Sequence, residues 1–284
     1  MNQISTISIF LLLLFSQCYS RSKENSKYSF PESYALEQMV KINLSQDLEE
    51  ISGLEWINET VLWAIEDESS IIFEINSQTG KIIRKQKFAK NKDIEDILMV
   101  DEEAWVLQSN GNIYQVENPF TEYSNTTIYD FEIKGKRDFE AIIKVKNEPE
   151  ILIFCKVCSW DKNASQASVY SFNLDSMAFD EKASFVLENK QLKDILKEED
   201  FKEVKMQPSA IALHPIENRY YMLSSSDKWL MVLDTELKPL GFYHLNPRFF
   251  KQPEGIAFGQ DGTMFISNEA NDGNPNLLIF QYHP

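Results

Sequence analysis

Five short segments of this chain are variants of one another, and that repetition constrains the fold more than any other feature. They read Glu50-Ile-Ser-Gly-Leu-Glu-Trp56, Asp93-Ile-Glu-Asp-Ile-Leu-Met99, Asp138-Phe-Glu-Ala-Ile-Ile-Lys144, Gln207-Pro-Ser-Ala-Ile-Ala-Leu213 and Gln252-Pro-Glu-Gly-Ile-Ala-Phe258. Aligned on the third residue, the anchors are Ser52, Glu95, Glu140, Ser209 and Glu254, at intervals of 43, 45, 69 and 45 residues. A period near 45 with strand-like content marks a β-propeller, one repeat to each four-stranded blade. The chain therefore reads as all-β, a single propeller of five blades. Six is the alternative if the 69-residue interval hides a degenerate blade. An insertion near 188–206 is preferred, because Leu192, Ile195, Leu196 and Glu199 follow a helical period there.

Each repeat divides into short strands punctuated by turn residues. The first gives Ile51–Trp56, Val61–Ile65, Ile71–Ile75 and Lys81–Phe88, and the second ends in an outer strand over Thr127–Ile133. The third ends in an outer strand over Ala183–Leu187. The fifth supplies only Ile256–Phe258, Thr263–Ser267 and Leu277–Tyr282. Its outer place falls to Ala35–Leu44, where Leu36, Met39, Val40, Ile42 and Leu44 offer apolar contacts. Such a strand closes the ring and removes an exposed edge.

Before the propeller, the apolar run Ile4–Phe15 is too short to span a membrane and has the length of a signal-peptide core. The expected division is a signal over 1–20, a polar tether over 21–34 and the propeller over 35–284. Leu14-Phe-Ser-Gln-Cys18 has the form of a bacterial lipoprotein box, with Gln17 where a small residue is usual. Two outcomes stand: lipidation of Cys18, giving membrane attachment, or cleavage after Ser20. Both place the protein in a bacterial cell envelope, membrane-anchored or periplasmic. The formal charge of −16 excludes a nucleic-acid backbone as partner and favours cations or basic ligands. Cys155 and Cys158 form a lone C-x-x-C, and His214, His244 and His283 show no ligand spacing. Within the run Ile151-Leu-Ile-Phe-Cys155, cysteine reads as a small apolar filler, with a disulfide or a metal role as the other readings.

Propeller geometry decides which residues meet. Inner strands line the channel, so equivalent positions in successive blades form rings. One ring holds Ser52, Glu95, Glu140, Ser209 and Glu254; the ends of the second strands give Asp67, Ser109, Lys156, Ser225 and Asn268, flanked by Glu68 and Glu269. Bare carboxylates at one level repel, so they share protons, pair with a cation such as Lys156 or bind a metal. The metal candidates are Glu95, Glu140, Glu254 and Glu269. The ligand-binding candidates are Ser52, Asp67, Lys156, Ser209, Ser225 and Asn268. With oxygen donors alone, calcium or magnesium is the natural ion. A hydrated polar channel and a small organic ligand are the other two occupants.

The repeats and their neighbours resemble the SdiA-regulated (YjiK-like) family of envelope proteins. The resemblance rests on Ile65-Glu-Asp-Glu68, Gln207-Pro-Ser-Ala-Ile-Ala-Leu-His-Pro215, Leu223-Ser-Ser225, Lys251-Gln-Pro-Glu-Gly-Ile-Ala-Phe258 and Phe265-Ile-Ser-Asn-Glu269, and covers roughly residues 36 to 282. The chain departs at Ala141 and Ala210, where glycine is more usual. The resemblance implies a membrane-associated propeller and carries no catalytic residues with it. The leading expectation is a non-enzymatic binding or scaffold module with an unknown protein or small-molecule partner. The rival is a calcium-dependent phosphate-ester hydrolase of phytase-like type, with Glu95, Glu140 and Glu254 on metal and Lys156 on phosphate.

Overall fold

Every strand in the described residues, 27–270 and 273–284 of the computed structural model, belongs to one of five antiparallel sheets. The first four blades run in chain order from the inner strand outward. The first has Ile51–Asn58, Val61–Glu66, Ile71–Asn76 and Ile82–Lys87. The second has Ile94–Val100, Glu103–Gln108, Ile113–Glu117 and Asn125–Tyr129. The third has Phe139–Lys144, Glu150–Cys155 and Gln166–Asn173, with two outer pieces, Ala178–Phe179 and Phe185–Glu188, both paired to Gln166–Asn173. The fourth has Ala210–His214, Arg219–Ser224, Trp229–Leu233 and Pro239–His244. In the fifth, Pro253–Phe258, Met264–Asn268 and Asn276–Phe280 are completed by Val40–Asn43, paired from Val40↔Ile279 to Asn43↔Asn276. Five blades and closure by the N-terminal strand are thus the observed architecture; the six-bladed alternative falls.

The core is not one body but five wedges, one between each pair of neighbouring blades. Trp63, Ile72, Ile97 and Val106 fill the wedge between the first and second blades. Trp229, Met222, Phe154 and Val169 fill the one between the third and fourth. Leu44 and Leu48 enter the wedge that joins the fifth blade to the first, so the N-terminal segment closes the ring by packing as well as by pairing. The insertion is a 3-10 turn over Asn189–Asp194 and a short α-helix over Glu198–Glu203. It is held by buried Leu192, Val204 and Met206, and Trp229 Nε1 donates to the Lys205 carbonyl (3.0 Å).

Two local departures from the expected strands have packing causes. The second blade's outer strand stops at Tyr129 because Phe131 turns inward, edge-on to Phe139 and Tyr170 of the third blade at 4.9 Å. Residues 29–34, read from sequence as tether, lie on the propeller. Ser29 N–H donates to the His244 carbonyl, Phe30 stacks on Phe250, and Tyr34 bridges to Tyr282. The signal segment and Cys18 lie outside the described residues.

What aims side chains into the channel is a bulge. The antiparallel register skips Ser52, Glu95, Glu140 and Glu254, the third residue of the repeat, in four blades. A bulge leaves one residue unpaired and re-aims its side chain. The next position is tightly packed. A Cβ added to Gly53 would meet the Cα and Oδ1 of Asp96, in the same repeat position of the following blade, both at 2.8 Å. Gly53→Ala should therefore lower stability by about 1–3 kcal/mol in denaturant unfolding; an unchanged midpoint would show that the two inner strands yield freely.

An acidic channel mouth

Three of the five joints between blades are made at the mouth by the backbone of the repeat itself. Asp67 N–H donates to the Glu50 carbonyl while Asp67 O accepts from Ile94 N–H of the second blade (3.2 and 2.9 Å). Ser109 repeats the pattern, donating to Asp93 and accepting from Phe139 (3.0 and 2.8 Å). At the closing joint, Glu269 N–H donates to the Gln252 carbonyl and Ala270 N–H to that of Glu49 (3.1 and 2.9 Å). With the antiparallel pairing inside each blade, this lacing brings the starts of the inner strands and the ends of the second strands to one rim.

The rim encloses a cavity of about 240 Å³ lined by Asp67, Asp93, Glu95, Asp138, Glu140, Glu254 and Glu269. The four residues expected as metal ligands, Glu95, Glu140, Glu254 and Glu269, all line it, together with Asp67. Asp93 and Asp138 were missed. Both are first residues of their repeats, two positions before the glutamates that were singled out, and side chains two apart on a strand lie on one face. That alternation was the available signal.

The other candidates are placed differently. Ser52 donates to the Ile94 carbonyl (2.9 Å) and Ser209 to the Pro253 carbonyl (3.1 Å), so these hydroxyls tie each blade to the next. Ser225 N–H donates to Ser209 Oγ (3.1 Å), and both serines lie beside the Glu254 carboxylate. Asn268 is fully buried, engaging Asn276 Oδ1 and the Phe249 carbonyl through Nδ2 and accepting from Gln252 N–H. Lys156 Nζ pairs with Glu140. A second amine, Lys228, also escaped sequence reasoning; its Nζ donates to the Ser225 carbonyl and feels Glu254 and Glu269.

Burial sets the electrostatics. It pushes Glu95 up to about 10, with Glu140, Asp93 and Asp138 adding repulsion. Glu140 and Glu269 rise to about 8 and Asp67 to about 7, in each case chiefly through burial. Glu254 and Asp138 are raised for the same reason. Burial opposes the charge on Lys156, but Glu140, Glu254 and Asp138 outweigh it and the ammonium is held more firmly than usual. Burial lowers Lys228. Deeper in the channel, Asp96 accepts from Ile97 N–H (2.8 Å) and from Ile142 N–H of the third blade (3.0 Å), and Glu55 from Met99 N–H (3.3 Å). These carboxyls satisfy backbone donors on the inner edge that no strand covers.

Such an arrangement can concentrate cations and hold protons; it does not present an anion with a welcoming surface. The seven carboxylates are spaced around the opening rather than pre-gathered. Among the described residues, the one trio of Cys, His, Asp or Glu ligand atoms within 4.8 Å of each other is Cys155, Cys158 and Asp161, and Cys155 Sγ lies 3.3 Å from the carbonyl oxygen of the rim residue Asp138.

The class of protein is therefore a five-bladed β-propeller with an acidic channel mouth. The family profile described as SdiA-regulated matches residues 32–278, and the chain belongs to that family. No curated protein matches the chain significantly. Among solved structures, glutaminyl cyclase from Myxococcus xanthus is similar with a TM-score of 0.56 at 9% identity, covering 86% of this chain and 94% of that one. A luciferin-regenerating enzyme gives a TM-score of 0.49 at 10% identity, over 86% and 95% of the two chains. Virginiamycin B lyase from Staphylococcus aureus gives 0.43 at 14% identity, over 86% and 74%. At 9% identity the first likeness concerns the fold alone.

Proposed function

We propose that this propeller is a non-enzymatic binding or scaffold module of the bacterial cell envelope whose channel mouth takes a divalent cation, calcium or magnesium. The single observation that carries the reading is the cavity of about 240 Å³ faced by seven carboxylates, with Lys156 and Lys228 as the amines at its edge. Burial favours the protonated forms of Asp67, Glu95, Asp138, Glu140, Glu254 and Glu269, and a divalent ion is the partner that lets them ionise together. Glu95, Glu140, Glu254 and Glu269 would hold it, with Asp67, Asp93 and Asp138 completing the oxygen set. Their spacing suits an ion that keeps part of its water shell, which magnesium does by habit and calcium tolerates.

Placement in the envelope rests on the sequence of the first twenty residues, with Cys18 as the lipid acceptor or Ser20 as the cleavage site. In the described residues no helix is long and apolar enough to cross a membrane. The rival hydrolase reading gains one amine, Lys228. Yet Lys156 is already paired with Glu140, and a phosphate would enter an opening dominated by negative charge.

Calcium and magnesium titration of the purified protein, followed by melting temperature at pH 8, tests the reading. Saturation at about 100 times Kd should raise the midpoint by roughly 5–10 °C. Glu140→Gln should weaken the response at least about tenfold. No shift with either ion sinks the cation site, and turnover of a phosphate ester with calcium would replace the binding module by the hydrolase.

A further inference from the structure

The trio beside the rim, in the third blade, has chemistry of its own. Cys155 ends the second strand of the third blade, and it is joined to Cys158 as a disulfide rather than standing as the free apolar filler its context suggests. One ligand atom each from Cys155, Cys158 and Asp161 lies within 4.8 Å of the other two. Asp161 is already held in place: the Ser168 hydroxyl donates to Oδ1 and Ser168 N–H to Oδ2 (3.2 Å). Outer hydrogen bonds of this kind orient the carboxylates that bind metals. The sulfurs lie in the wedge between the second and third blades, at 0% and 6% exposure, whereas Val157 between them is 40% exposed. Asp161 is half-buried, so the trio has a wet side and a dry side.

We infer that Cys155, Cys158 and Asp161 form a redox-gated site for a soft divalent metal, zinc by its preference for thiolate. As a disulfide the site is closed, because neither sulfur carries a free thiolate. A dithiol reductant opens it. Its two thiols become a disulfide, two electrons break the Cys155–Cys158 bond, and two protons pass to the released sulfurs. Zinc displaces those two protons and takes two thiolates and one Asp161 oxygen, leaving a fourth position for water. The channel mouth cannot substitute, since it offers only oxygens, which suit hard cations. One propeller would then carry a hard-cation opening on its axis and a soft-metal site within a blade wedge.

Cobalt is the probe. Protein reduced with excess dithiol, then freed of it without oxygen, should bind one equivalent of cobalt with a thiolate-to-metal charge-transfer band. Zinc should bleach that band, and oxidised protein should never show it. Asp161→Asn, which keeps an acceptor for Ser168, should weaken cobalt binding at least about tenfold. Ser168→Ala leaves all three ligand atoms present and should weaken it by a smaller factor. Glu140→Gln should leave the band unchanged, which keeps this test separate from that of the channel mouth. No band in reduced wild-type protein, or full affinity in a normally melting Asp161→Asn variant, overturns the site.

Discussion

Without divalent cations, the melting temperature should fall by about 5–10 °C between pH 5 and pH 9, and saturating calcium should restore most of the loss. The sign follows from the direction of the shifts. Asp67 is raised to about 7 and Glu140 and Glu269 to about 8, whereas the unfolded chain ionises these groups in the ordinary carboxylate range. The native state therefore holds extra protons. Their contribution is complete below the unfolded pKa and is lost as pH climbs through about 7 to 8. A bound cation reverses the balance, because it favours the ionised forms; its affinity should rise with pH over the same window. Glu269→Gln supplies a neutral side chain of the same shape. It should raise the metal-free melting temperature at pH 9 while weakening calcium. A flat metal-free profile across this range would mean that the rim carboxyls are more hydrated than their burial implies.

Removal of the chain before Ser45 should abolish the cooperative melt and drive association. The deletion strips Val40–Asn43 from Asn276–Ile279, takes Tyr34 out of one wedge and takes Leu44 out of the next. The strand Asn276–Phe280 would then present unpaired amides and carbonyls at a sheet edge, a template for another copy. A peptide covering residues 34–45, added in trans, should return the protein to a monomer in sedimentation. If the truncated protein stays monomeric with an unaltered midpoint, closure is not what holds the ring.

How much of this could be read from the residues alone differs between fold and site. Blade number and closure were legible because the repeat is a property of the backbone: each copy must present the same register to its neighbour, and Pro253-Glu-Gly-Ile256 and Ser52-Gly-Leu54 do so visibly. The carboxylates of the rim were half legible. Glu95, Glu140 and Glu254 stand out by alignment, while Asp93 and Asp138 needed the further step that residues two apart share a face. Lys228 was missed although its four-residue loop, 225–228, matches 67–70 and 109–112 of the first two blades, because Ser70 and Asn112 stand at its position there and the repeat shows no recurring amine. Ser52 and Ser209 are in the ring as expected but turn their hydroxyls to backbone carbonyls, a choice fixed by donor–acceptor distances that sequence does not contain. The outer strands were least legible. They carry little burial, so the pull of Phe131 into the neighbouring wedge decides where one ends.

Closure by the first strand also sets an order in time. Val40 finds its partner in Ile279, and almost the whole chain lies between them. As the protein is made, its opening strand has nothing to pair with until the last blade has emerged. Four blades can stack in succession, each on its predecessor, but the ring stays open until the final segment arrives. Pairings between such distant segments form slowly. The interval during which Asn276–Phe280 waits bare is when the molecule is most exposed to capture by another copy, and its length is set by the rate at which two chain ends meet.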